Sequence, residues 1–216
     1  MDIEIGIGKS GRRAYGFDDI AIVPSRRTRD PQDVSIEWEI DAYKFDLPII
    51  SSAMDGVTSP KTAIEMGRLG GLGCLNLEGL FTRYEDTESV LDEIASLPKE
   101  KATLRMQEIY EEPVKPELIT ARIKEIKDSG VISCASLTPQ QVDKYLEYVI
   151  AGELDILVIQ GTVVSAQHVS KNGVTLDLAS FIRKLDIPVI VGGCASYSGA
   201  LHLMRTGAAG ILVGVG

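Results

Sequence analysis

"IPVIVGGCASYSGALHLMRTGAAGILVGVG", residues 187–216, is the stretch whose reading decides the fold. It opens with an apolar, β-branched run that closes on two glycines, and residues 210–216 repeat that pattern. Between them, "SYSGALHLMRTG" starts at a capping serine, Ser196, and stops at Gly207, the punctuation of a helix. Strand, helix, strand in this order is the unit that joins two parallel strands.

The same alternation recurs toward the N-terminus. "LDILVIQ" (154–160), "VISCAS" (131–136), "GLGCLN" (71–76) and "LPIISSA" (47–53) are nearly continuous in apolar residues, as strands covered on both faces must be. In "TPQQVDKYLEYVIAG", Thr138 reads as an N-cap, Pro139 as the first helical residue, Gln141 as the partner in a capping box and Gly152 as the stop. "DLASFIRKL" sets Leu178, Phe181, Ile182 and Leu185 on one helical face. The long stretch between the second and third strands predicts further helices around 87–97, 102–111 and 117–129. The alternating "DVSIEWEIDAYKFD" (33–46) predicts a hairpin or cap against one end of the body, so residues 1–46 read as an N-terminal cap segment and 47–216 as the strand–helix body.

Six strands at this spacing fit a doubly wound sheet or a (β/α)8 barrel. A dinucleotide-binding doubly wound sheet would carry GxGxxG directly after an early strand, whereas "GRLGGLG" (67–73) precedes its strand. The fold class is therefore α/β, a TIM barrel of which the chain covers about the first six strands. An open ring of six strands leaves two unpaired edges and an uncovered core, so the remaining strands are expected beyond Gly216.

Composition narrows the function classes. The chain has 216 residues, 44% hydrophobic and 25% charged, the makeup of one globular domain or the larger part of one. With 31 acidic and 22 basic residues the net charge is −9, and the basic groupings (Lys9, Arg12, Arg13; Arg26, Arg27, Arg29) lie near the N-terminus, which argues against nucleic acid as a partner. Cys74, Cys134 and Cys194 form no CxxC pattern and are odd in number, against a disulfide framework or a zinc site. No signal peptide opens the chain and no window approaches the roughly 18 apolar residues of a membrane span. A cytoplasmic protein is expected.

Several motifs carry a family resemblance. "YGFDDIAIVPS" (15–25), "PIISSAMDGVTSPKTAIEMGRLGGLGCLN" (48–76) and "PVIVGGCASYSGALHLMRTGAAGILVGVG" (188–216) resemble, in order and spacing, the IMP dehydrogenase and GMP reductase family. "LNLEG" (75–79), "TRYED" (82–86) and "LVIQGTVVSAQHVS" (157–170) are similar to its IMP-dehydrogenase-related subgroup without CBS domains. The resemblance implies an oxidoreductase of purine and GMP biosynthesis that oxidises IMP to XMP with NAD through a cysteine adduct at purine C2. GMP reduction to IMP and ammonia with NADPH is the alternative, and a non-catalytic nucleotide-binding regulator or partner of an IMP dehydrogenase is another. A flavin-dependent barrel shares the "PIISSAM" type of first strand.

The resemblance also implies site residues. Ser52 and Met54 correspond to substrate contacts, the thioether lying on the flat base. Gln160, Gly161, Thr162, Cys194, Gly214 and Gly216 fall at cofactor positions, and Gly216 also at a monovalent-cation (K+) site. Gln160 stands where many dehydrogenases have an aspartate, and Cys194 where an asparagine is usual. The nucleophilic cysteine is expected beyond Gly216, so no catalytic residue is assigned. NAD or NADP is the expected cofactor, a purine nucleoside monophosphate (IMP, XMP or GMP) the expected partner, and a homotetramer the expected assembly.

Each has a plainer reading. Met54 at a strand end is ordinary core filler, and Cys74, Cys134 and Cys194 are packed thiols. Asp55 reads as a cap for the helix that begins near Ser59. His168 and His202 are isolated, with surface or cap roles, and "RRTR" (26–29) is a solvated arm.

Overall fold

The computed structural model describes residues 2–13, 15–23, 26–162, 164–166 and 176–214. Two compact units are present, residues 1–35 and 36–216. In the first, β1 (Asp2–Gly6) and β2 (Lys9–Arg12) form an antiparallel hairpin, followed by short 3-10 turns at Phe17–Asp19 and Pro31–Asp33. Ile3, Ile5, Ile7, Ile20, Ile22 and Val23 are all exposed.

The second unit begins with a hairpin of β3 (Trp38–Ile40) and β4 (Tyr43–Phe45). There follow α1 (Pro60–Arg68), β5 (Cys74–Asn76), α2 (Thr87–Ser96), α3 (Lys99–Glu111), α4 (Pro116–Lys127) and β6 (Cys134–Leu137). The remainder is α5 (Val142–Ala151), β7 (Ile156–Gln160), α6 (Leu178–Ile182), β8 (Val189–Cys194), α7 (Tyr197–Met204) and β9 (Gly210–Val213). Strands β5 to β9 make one parallel sheet in sequence order, each joined to the next by a helical crossover. This is the expected α/β architecture, a run of consecutive units of a β/α barrel. Among the described residues no helix is long and apolar enough to cross a membrane.

Two layers of apolar packing explain the unbroken hydrophobic runs. On β7, Leu157 and Ile159 pack with helical residues such as Ile119, Ile123, Val149 and Phe181, while Ile156 and Val158 face an inner cluster with Cys74, Cys134 and Ile190. Successive side chains point to opposite faces, so a strand with both faces covered needs apolar residues throughout. Ile40 and Phe45 of the β3–β4 hairpin join the inner cluster. Cys74 and Cys134 are register partners on neighbouring strands, both buried.

The hairpin is also tied to the strand starts through Asp155, which precedes β7. Its carboxylate accepts bonds from Lys127 Nζ (2.8 Å), Ser133 N (2.9 Å), Ser133 Oγ (2.8 Å) and the Tyr43 hydroxyl (3.1 Å). Burial pushes the Asp155 carboxyl up, but these donors and the Lys127 charge outweigh it and hold the group below its ordinary value.

Two sequence expectations are corrected. Among the described residues "LPIISSA" pairs through an isolated parallel bridge from Ile50 to Leu72, with Leu72 N donating to the Ile49 carbonyl (3.0 Å) and Ser51 N to the Leu72 carbonyl (2.9 Å), and forms no longer strand. Pro48 has no N–H to give, and beyond the Ser51 amide hydroxyls take over: Thr58 Oγ1 lies 2.6 Å from the Ser52 carbonyl, and Ser51 Oγ accepts from Cys74 N at 3.0 Å. Second, α5 starts at Val142, with Gln141 rather than Thr138 at its cap. Thr138 is drawn away because its N–H (2.6 Å) and hydroxyl (3.1 Å) both bond the Glu78 carboxylate, a charge-assisted acceptor.

Candidate functional site

Because the strands are parallel, their C-terminal ends share one edge, and the residues singled out from the sequence gather on it in two clusters. The first is the turn after Ile50. Met54 N donates to the Ser52 carbonyl (2.8 Å), and Val57 N and Thr58 N both donate to the Met54 carbonyl (2.9 and 2.8 Å). Thr58 is fully buried beneath the turn, its hydroxyl bridging Ser51 Oγ (2.8 Å) and the Ser52 carbonyl. With its backbone so occupied, the turn presents the Ser52 and Met54 side chains outward; Met54 is 58% exposed. Met54 is therefore not core filler.

Asp55 does not cap α1. That task falls to Ser59, whose Oγ accepts from Thr62 N (3.0 Å) while Thr62 Oγ1 accepts from Ser59 N (2.9 Å), a reciprocal capping box. Asp55 Oδ2 instead accepts from Leu80 N (2.8 Å) and from the Tyr110 hydroxyl. Its Oδ1 is buried without a hydrogen-bond partner among the described residues and nests against Gly79, where a Cβ would fall 2.0 Å away. Burial, reinforced by the Asp55 bond and charge, pushes the Tyr110 phenol well above its ordinary value. The Arg83 guanidinium stands 5.5 Å over the Tyr110 ring and bonds the carbonyls of Glu78 (3.0 Å from Nη2) and Glu112.

The second cluster lies at the ends of β7, β8 and β9. Gly161 N donates to the Gly192 carbonyl, Gly193 N to the Gly161 carbonyl and Val164 N to the Gly193 carbonyl, each at 2.9 Å, and Gly214 N donates to the Cys194 carbonyl at 2.8 Å. Gln160, Gly161, Thr162, Cys194 and Gly214 thus share one patch, with Gln160 and Thr162 exposed. Gly193 has to be glycine: a Cβ there would lie 2.3 Å from the Gly214 carbonyl oxygen and 3.4 Å from that of Thr162. Cys194 is buried in the layer between sheet and helices, its thiol 3.6 Å from the Leu212 carbonyl. Gly216 and His168 lie outside the described residues; His202 is exposed on α7.

The second patch is glycine-rich. Gly214 adopts φ +135°, and among the described residues nothing lies within 4 Å of where its Cβ would be. Gly161, Gly193 and Gly214 thus leave a stretch of backbone without side chains at the strand ends. Gln160 and Thr162 supply polar groups beside it.

Sequence reading missed Tyr110, Arg83, Thr58 and Gly193. Tyr110 gave no signal, since it meets Asp55 across 55 residues of chain from a weakly amphipathic helix. Gly193 did give one, the second glycine of "VGGCAS".

Comparison with known proteins shows the family. Residues 14–216 match the family model described as IMP dehydrogenase / GMP reductase domain. The chain is similar to proteins called uncharacterized oxidoreductases in Mycolicibacterium smegmatis and Mycobacterium tuberculosis, each 45% identical over 99% of this chain and 58% of the relative. It is also similar to the inosine-5'-monophosphate dehydrogenase of Cryptosporidium parvum, 26% identical over 93% of this chain and 51% of the relative. A crystal structure of an IMP dehydrogenase/GMP reductase-like protein from Corynebacterium glutamicum superimposes with a TM-score of 0.91 at 46% identity, covering 100% of this chain and 58% of that one. The chain spans about 58% of the length of these closer relatives.

Proposed function

The chain belongs to the IMP dehydrogenase/GMP reductase family, and on that premise we propose that it serves an oxidoreductase of purine nucleoside monophosphates, with oxidation of IMP to XMP as its reaction. The observation that carries this reading is the pairing of two surfaces on one edge: an outward thioether at Met54 beside Ser52, and an open glycine backbone at Gly214. NAD or NADP, when bound, supplies the acceptor for the hydride that leaves purine C2. Met54 offers its polarizable sulfur to the face of the base, and the Ser52 hydroxyl offers a donor and an acceptor to its edge. The glycines at 161, 193 and 214 keep side chains away from the second ring and exclude water from its underside. Gln160 and Thr162 hydrogen-bond the adjoining ribose, with a neutral amide in place of a carboxylate. A K+ ion near Gly216 and assembly as a homotetramer belong to the same reading.

A second reading has its own support. The buried Cys194 thiol is turned to the Leu212 carbonyl and offers no strong hydrogen-bonding group to a ligand. That favours a protein that binds a purine nucleotide without turnover and acts on an IMP dehydrogenase.

The test mixes purified full protein with IMP plus NAD, and separately with GMP plus NADPH, and follows the absorbance of reduced cofactor. Growth with IMP and NAD supports the first reading, and decay with GMP and NADPH replaces it by GMP reduction. Saturable nucleotide binding without turnover in either mixture supports the second.

A further inference from the structure

We propose that Tyr110 is a positioning residue for the base-binding turn, holding Ser52 and Met54 in place through Asp55. The inference rests on the reading of that turn as the purine contact.

The turn at 51–58 is fixed from beneath by the buried Thr58 hydroxyl, which engages Ser51 and Ser52. Asp55 fixes it from the side. Its Oδ2 reaches two elements at once, Leu80 N at the start of the segment after β5 and the Tyr110 hydroxyl near the end of α3. Asp55 follows Met54 directly, so tethering its carboxylate restrains the backbone from which the thioether projects.

Tyr110 suits this task. Its phenol, which ordinarily ionises only at about pH 10, is a donor throughout the neutral range, and partial burial with the neighbouring carboxylate opposes ionisation further. Arg83, 5.5 Å over the ring, steadies it while its own guanidinium bonds the Glu78 and Glu112 carbonyls on either side of the α2–α3 excursion. The helices between β5 and β6 thereby act on the candidate site without contributing a side chain to the ligand. The orphaned Oδ1 against Gly79 makes the carboxylate dependent on its two Oδ2 donors for compensation.

The test measures binding of IMP and of ribose 5-phosphate to the full protein and to Y110F by titration calorimetry, with thermal melting and hydrogen exchange on both. A base-positioning role predicts that Y110F weakens IMP about tenfold, the size of one lost charge-assisted hydrogen bond. Ribose 5-phosphate, which has no base, should bind the two proteins alike. Exchange should quicken at the amides of Met54, Val57 and Thr58 and stay unchanged in β7 and β8. Equal IMP affinity in the two proteins overturns the inference, as does a parallel loss for both ligands or a general fall in melting temperature with exchange raised throughout. Failure of the unaltered protein to bind IMP or GMP at all removes the purine reading itself and the inference with it.

Discussion

Asp155 shows how one carboxylate can be held by four donors and what that implies for acid stability. Its pKa is lowered in the folded protein, so its contribution is present above the ordinary carboxylate value of about 4 and is lost as pH falls through the folded value. D155N should lower stability at neutral pH by about 2 kcal/mol, since it weakens a mostly buried pair with Lys127 and leaves Ser133 with a poorer acceptor. Denaturant titrations across pH should show the gap between the two proteins closing below about pH 4. This network was not legible in the sequence, because Tyr43, Lys127, Ser133 and Asp155 converge only after the strands are aligned. By contrast Ser52, Met54, Gly161 and Gly214 were singled out by the family resemblance, and their common edge follows from the parallel strands, whose ends are local features.

Among the elements, helices were easier to read than strands. The segments around 87–97, 102–111 and 117–129 appear as α2, α3 and α4, because a helix satisfies its backbone within its own residues. The "LPIISSA" strand is cut short where side-chain hydroxyls take the Ser52 carbonyl and the Cys74 amide, and Thr138 lost its cap role to Glu78, sixty residues away. Caps with no such competitor form as read: Ser196 accepts from Gly199 N at 3.1 Å, and Gly207, at φ +90°, ends α7. The Ser59 cap on α1 is reciprocal with Thr62, and α1 directly follows the turn at 51–58. S59A should cost about 1 kcal/mol in denaturant unfolding. Asn at the same position should recover most of it, as it keeps an acceptor for the Thr62 amide.

For the molecule as a whole, alternation of apolar strands and capped helices carried the architecture, because it reflects a sheet covered on both faces. The division into units at 35/36 was not legible, since "DVSIEWEIDAYKFD" runs across it with one unbroken pattern. Its strands β3 and β4 fall wholly in the second unit, where Ile40 and Phe45 reach the inner cluster. That same cluster contains Cys74 and Cys134 side by side, and burial pushes the Cys134 thiol up, away from the reactive thiolate. The barrel interior therefore carries its own chemical clock. Alkylation of Cys134 by iodoacetamide should proceed only as fast as β5 and β6 come apart, and should leave the intact protein unlabelled on the timescale in which a denatured sample reacts fully. Each sulfur then reports the lifetime of the seam between two strands, with no probe added to the protein.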